Sequence, residues 1–406
     1  MSRIRSRASV SVRAERGFSL IELMISLVIG LVILGALVAL FSGTSRANRE
    51  MATANSVIEN GRFAIQLLES DVAHGGFWGS YVPMYDDQTS PDPPTDVPDA
   101  VPDPCLAYST TDWDTDYVIG LLAIPVQVYA SDAVDAGSSC EDVVTNAQAD
   151  SDVLVVRHAD NCVAGAPNCE ADTAGWLHFQ SSLCTLECDD DPEVARFVLD
   201  TTRSDAGADA AVFSLRHRNG VARAEKRRFV SNLYYVRDFA VTAGDGIPTL
   251  TRSSFALDGT TLDHLAAEPL VEGVEAIRIE LGVDDANPTG TLIRDDYLVP
   301  TAWENPTTKE VATNRGDGIP DGLFEVCTQA SPCHDAADAF TLMNVTAVRI
   351  HVLARSRDET RGYTDTKTYR LGNSATVYGP YNDGFKRHVY TTTVRLPNIA
   401  GRRLRP

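Results

Sequence analysis

The chain has 406 residues, 44% of them hydrophobic, enough for one large or two modest domains around a real core. It carries 35 basic and 56 acidic residues, a formal net charge of −21. An acidic balance of that size excludes nucleic-acid binding through phosphate neutralisation, which needs clustered lysine and arginine, and fits a self-repelling surface facing water.

Charge is unevenly placed from the start. Residues 1–17 hold Arg3, Arg5, Arg7, Arg13 and Arg16 against the single acid Glu15, so the remainder carries 30 basic and 55 acidic residues, a net of −25. The apolar run Phe18 to Phe41, FSLIELMISLVIGLVILGALVALF, follows directly. As a helix it would span about 36 Å, against a hydrocarbon core of ~30 Å. The basic leader favours a cytoplasmic N-terminus with the rest of the chain outside. A secretory signal would have a shorter apolar run followed by a small-x-small cleavage site. Here the small residue, Gly17, stands between the charged leader and the run. Glu22 is the anomaly, because a carboxylate among leucines costs about 2.5–3.5 kcal/mol on insertion and needs a partner. A cut after Gly17 would make Phe18 a free amine and Glu22 the fifth residue, one helical turn from that positive charge or within reach of a neighbour's.

The helix is expected to continue past the membrane. From Thr44 to about Ala73 there is no proline and one interior glycine, Gly61. Ala54, Ile58, Gly61, Ile65, Leu68 and Val72 recur at alternating steps of four and three, an amphipathic helix with one apolar face. Arg46, Arg49, Glu50, Arg62, Glu69 and Asp71 fall largely on other faces, and Gly75-Gly76 ends the helix.

The string GFSLIELMISL resembles the class III signal and first helix of type IV prepilins. The stretch NGRFAIQLLESDVAHGGFWG, Asn60 to Gly79, is similar to the matching segment of PilW-type minor pilins. The resemblance implies leader cleavage after Gly17 by a prepilin peptidase, N-methylation of Phe18, and a subunit-registering role for Glu22. It also implies a single-pass inner-membrane protein with a periplasmic body, later incorporated into a pilus on the cell surface. Its partners would be other minor and major pilins through the N-terminal helix, the peptidase and the pilus assembly platform. No cofactor is implied. The expected function is a minor pilin of type IV pilus assembly, in a priming or tip complex. A type II secretion pseudopilin would share every feature of residues 1–75, and a pilus-tip adhesin is the reading from a different class.

Residues 86–104, DDQTSPDPPTDVPDAVPDP, hold six prolines and six aspartates, and read as an extended acidic surface loop. Beyond it the pattern is β-rich. Strands are expected at 117–130, 151–158, 195–200, 211–218, 225–238, 274–284, 345–356 and 388–397, several with clean alternation. VEGVEAIRIELGVD, VRIHVLARS and TTTVRLPN also resemble PilW-type chains. The fold class is therefore α+β: a long N-terminal helix, half transmembrane and half amphipathic, packed on an antiparallel β-rich domain. The expected divisions are 1–17 leader, 18–41 membrane and assembly helix, 42–76 helical spine, 77–110 acidic proline-rich loop, and 111–406 globular body.

Eight cysteines, Cys105, Cys140, Cys162, Cys169, Cys184, Cys188, Cys327 and Cys333, read as disulfides in an exported protein. Cys327 with Cys333 is the first pairing expected and Cys162 with Cys169 the next, although Cys184 or Cys188 could instead reach back to Cys162 or Cys169. A zinc site from those four fits the common C-x2-C spacing poorly. The echo Gly244–Pro248 and Gly316–Pro320, GDGIP in both copies, reads as two turns. Asn314, Asp317 and Asp321 form only a weak calcium candidate, because Arg315 and Gly316 break the alternation of oxygen donors. No hydrolase, metalloprotease, Walker or dinucleotide motif appears. His158, His178, His217 and His351 sit in strand-like stretches as structural histidines, and no catalytic activity is expected.

Overall fold

The computed structural model describes residues 17, 19–88, 90–130, 139–182, 196–293, 296–327, 333 and 338–403. The leader 1–16, Phe18, Cys184 and Cys188 lie outside the described residues. Two compact units emerge, residues 1–53 and residues 54–406.

Helix α1, Leu20–His74, is a single helix of 55 residues with no proline inside it. In the first unit, every residue from Leu20 to Phe41 is exposed. From Ala54 on the helix belongs to the second unit, where Val57, Gly61, Ala64, Leu68 and Val72 are buried. The buried stripe keeps the expected Gly61, Leu68 and Val72 and differs elsewhere: Ile58 is 41% exposed and Ile65 is only half-buried, while Val57 and Ala64 take the inward places. Gly76, at φ +73°, stops the helix, a conformation that costs glycine nothing.

Two antiparallel sheets make the body. The first has eight strands: β1 (Val126–Ala130), β2 (Asp152–Ala159), β3 (Leu177–Ser181), β4 (Phe197–Thr201), β5 (Lys226–Arg237), β6 (Thr249–Asp258), β7 (Thr261–His264) and β8 (Glu268–Glu272). Its order is β1-β2-β5-β3-β4, with β6 joined to β5, β7 and β8. The second sheet runs β10-β9-β11-β14, from β9 (Val274–Val283), β10 (Glu325–Val326), β11 (Val345–Arg355) and β14 (Arg387–Arg395). The pair β12 (Tyr369–Arg370) and β13 (Val377–Tyr378) stands apart.

The chain passes from the first sheet to the second at Gly273, between β8 and β9. Its φ is +77°, and a Cβ there would lie 2.7 Å from the Arg355 carbonyl oxygen, so only glycine fits. The sheets are further stitched by β2: Ser151 Oγ accepts from the Ile277 amide at 3.1 Å, and Asp152 accepts from the Ile279 amide at 2.7 Å. Buried Arg278 donates to Asp152 at 2.5 Å. Ala64, Leu68 and Val72 share one core with Ile277, Ile279, Val348, Ile350 and Val352, so the helical spine lies against the second sheet.

Three sequence expectations are corrected. Residues 117–130 are not one strand, because helix α2 (Thr115–Ala123) precedes β1. Asp114 caps α2, its side chain accepting from the Tyr117 amide at 2.9 Å. Residues 211–218 are not a strand: 211 and 212 end a short helix, Ala206–Val212, capped by Asp205, and beyond it only Arg216 forms an isolated bridge, to Arg223. Residues 86–104 carry no helix or strand among those described, yet the segment is more than surface. Asp86 and Asp96 are buried, and Asp96 accepts from the Tyr81 hydroxyl at 2.9 Å and the Met84 amide at 2.6 Å. The proline-rich stretch is a strap tied down by its own aspartates.

Candidate functional site

The candidate site is the N-terminal half of α1 together with what fixes the other half to the body. Gly17 is exposed and lies three positions before Leu20, where the helix begins. Glu22 lies in the first turn, where a carboxylate complements the positive helix end. That turn is made by the Leu23 amide donating to the Ser19 carbonyl at 3.1 Å, and the next by the Ser26 hydroxyl donating to the Glu22 carbonyl at 2.7 Å. Glu22 is the only charged residue from Leu20 to Phe41. The helix is long and apolar enough to cross a membrane. Leu20, Leu31 and Phe41 are 77%, 61% and 76% exposed, so this half has leucines, isoleucines and valines on all sides and none of them buried.

The second half is held by contacts that the sequence pattern did not single out. Asp71, expected on a polar face, is half-buried. It accepts from Asn232 Nδ2 at 3.0 Å and the Tyr234 hydroxyl at 2.9 Å, and lies 3.1 Å from His158 Nε2. Burial pushes the Asp71 carboxyl up, but His158 and these donors outweigh it, and it ends below the usual carboxylate range. Burial pushes the His158 imidazole down, yet Asp71 outweighs that too and leaves it above its ordinary value. At Gly61 the Tyr390 ring occupies the place of a side chain: a Cβ would stand 2.1 Å from Cε2, and the Tyr390 hydroxyl donates to the Val57 carbonyl at 3.2 Å. Asn60 Nδ2 donates to the Glu272 carbonyl at 2.9 Å.

The helix end is closed from far along the chain. Asn398 Nδ2 faces the carbonyls of Ala73, His74 and Gly75 at 3.4, 3.3 and 3.2 Å, satisfying groups a helix terminus leaves open. Arg402 donates to the Gly76 carbonyl at 2.8 Å. Buried Arg403 reaches Asp86 at 2.8 Å and Asp284 at 3.0 Å, pairing two carboxylates that would otherwise be costly inside. The signal for this closure was present in TTTVRLPN followed by paired arginines, but nothing local says that an asparagine caps a helix more than three hundred residues earlier.

Among the described residues three disulfides are formed: Cys105–Cys140, Cys162–Cys169 and Cys327–Cys333. The two expected pairings are therefore present, and Cys162 and Cys169 are not available as zinc thiolates. The calcium candidates are each engaged in hydrogen bonds within the fold. Asn314 accepts from the Ala302 amide and donates to the Pro300 carbonyl, Asp317 accepts from the Ile319 amide, and Asp321 accepts from the Ala286 amide. Among the described residues no group of three His, Cys, Asp or Glu could hold a metal ion. Asp245 accepts from the Ile247 amide as Asp317 does from Ile319, so both GDGIP copies are the same aspartate-closed turn. His178 lies between Thr202 and Trp176, and His351 between Glu280 and Thr391; His217 is 3.8 Å from Glu225.

An exposed apolar helix with one acid in its first turn, continued into an antiparallel body, is the architecture of type IV pilin-like proteins. The model described as Prokaryotic N-terminal methylation motif matches residues 12–38. The model described as Type IV Pilus-assembly protein W matches residues 233–398, the stretch that contains β9, β11 and β14. These two matches support a type IV pilus minor pilin of the PilW family, and the apolar N-terminal helix fits a membrane anchor. Among solved structures, a type IV-like pilin from Thermus thermophilus is similar, at 14% identity over 62% of this chain and 80% of that one, with a TM-score of 0.23. No curated protein sequence matches the chain.

Proposed function

We propose that this minor pilin works in the complex that primes a type IV pilus and stays at its tip, acting by assembly and not by catalysis. The observation that carries this reading is the body: residues 54–406 form one compact unit behind a single helix, large for a subunit repeated along the length of a filament. The sequence of events would be insertion with the leader in the cytoplasm, cleavage after Gly17, methylation of Phe18, and extraction by the assembly platform into a helical stack. Within the stack, Glu22 would pair with the amino terminus of an adjacent subunit, which removes the cost of a lone carboxylate in an apolar surround. The exposed faces of Leu20 to Phe41 would bury against neighbouring pilin helices, with about 25 cal/mol gained per Å² of apolar surface removed from solvent.

The test is deletion of the gene, with surface filaments counted by electron microscopy and protein secretion assayed in the same strain. Lost or sparse pili with normal secretion is the expected result. Normal pili with failed secretion would move the protein to a secretion pseudopilus and overturn the proposal.

A further inference from the structure

Residues 39–232 lie outside both family matches, and they include the proline-rich strap, α2, β3 and β4. Three of these elements meet around a groove of about 530 Å³. The strap brings Asp96, the entry to α2 brings Trp113 and Asp114, and the start of β4 brings Arg196 and Phe197. The wall is aromatic: the Tyr81 and Phe197 rings meet edge-on with centroids 5.1 Å apart, and Trp113 lies beside them in the lining.

The polar groups at this wall are mixed in sign. Arg196 Nη2 donates to the Val82 carbonyl at 3.0 Å, and its guanidinium carbon lies 5.4 Å from the Tyr81 ring centroid. Its Nη1 is buried, 3.9 Å from Asp96 Oδ2, and makes no hydrogen bond. Asp114 uses Oδ1 to cap α2, which leaves Oδ2 as an acceptor at the groove. The Arg196 side chain as a whole is 33% exposed and lines the groove, so its guanidinium can donate to a ligand oxygen there.

We propose that this groove binds a neutral saccharide. Its volume falls in the range of small-ligand sites, about 300–1,000 Å³. Sugar hydroxyls are donors and acceptors at once, so one ring can accept from Arg196 and donate to Asp114. The C–H face of the same ring suits the aromatic wall. Arg196 already faces Asp96, and Asp114 sits at the positive end of α2, so a charged ligand of either sign finds no unpaired opposite charge and a neutral partner is selected. This inference goes beyond the assembly role and does not rest on it: the groove can bind sugar whether or not the chain primes a filament.

The test is saturation-transfer NMR on the full mature chain in a sugar-free zwitterionic detergent. The probes are cellobiose and chitobiose as neutral disaccharides, sialyllactose as the anion, the glucosamine disaccharide as the cation, and the tripeptide Ala-Tyr-Ala. Transfer to the C–H protons of at least one neutral disaccharide is expected, with affinity reduced tenfold or more in Arg196→Met and in Asp114→Asn. The asparagine keeps the helix cap, so that variant should melt with the parent and separates lost binding from lost fold. Transfer to none of the neutral probes, equal transfer in both variants, or stronger binding of a charged probe or the tripeptide would overturn the proposal.

Discussion

The two halves of α1 are one helix by backbone and opposite by environment. From Leu20 to Phe41 every residue is exposed although nearly all are apolar. From Ala54 to His74 only one stripe is apolar and buried, and polar residues such as Asp71 and Asn60 find partners on the sheets. The first half has its interaction surface unfilled within the chain, so its energetics belong to assembly and to the membrane. The second half is filled, so its energetics belong to the stability of the body. Substitutions should therefore separate cleanly into two phenotypes.

The largest separation is expected at Glu22. Glu22→Ala should leave leader cleavage and the melting temperature of the body unchanged while filaments become rare; normal filament counts would end the registering role. A matched leucine pair comes next. Leu68 is fully buried in the shared core, and Leu68→Ala should cost about 2–5 kcal/mol of body stability in denaturant titration. Leu31 is 61% exposed, and Leu31→Ala should leave the same titration unmoved. Equal losses in both would erase the contrast.

Gly61 sharpens the second half further. Gly61→Ala places a methyl group 2.1 Å from the Tyr390 ring and should cost about 1–3 kcal/mol. Adding Tyr390→Leu should return part of that loss, and strict additivity would show that the ring is not the obstacle. The smallest effect is at Asp71 and His158. The Asp71 carboxyl is held low, so its contribution is present above its unfolded value of 3.8 and fades as pH falls through the lower folded value. The His158 imidazole is held high, so its contribution is present below its unfolded value of 6.5 and fades as pH rises through the higher folded value. The pair should thus stabilise most between about pH 4 and 6.5. Asp71→Asn should lower the melting temperature within that window and flatten its fall on either side, and an unchanged profile would remove the pair from the account.

Much of this division could be read from the residues. The long apolar run, Glu22 and the glycine stop are local signals, and strands β2, β5, β9, β11 and β14 announce themselves by length or alternation. The failures have physical causes. YVIGLLA is too short for periodicity to tell a buried helix from a strand, and the deciding signal was the cap, Asp114. Strands β6 and β7 were passed over because TLTRSSFALD is weakly apolar, although Asp258-Gly259 at its end marked a tight turn, with Gly259 at φ +61°. The helical stripe holds at Gly61, Leu68 and Val72, but Val57 and Ala64 are buried in place of Ile58 and Ile65. The ties at Asp71, Asn398 and Arg403, and the groove at Arg196, join residues far apart in sequence, and no local pattern encodes such meetings.

The most direct test of the central claim is the mass of the N-terminal peptide of this chain recovered from sheared surface filaments. A peptide beginning at N-methylated Phe18 is predicted. Recovery with residues 1–17 still attached, or only from the membrane fraction and never from filaments, would contradict the assignment of Gly17, Phe18 and Glu22 to filament assembly.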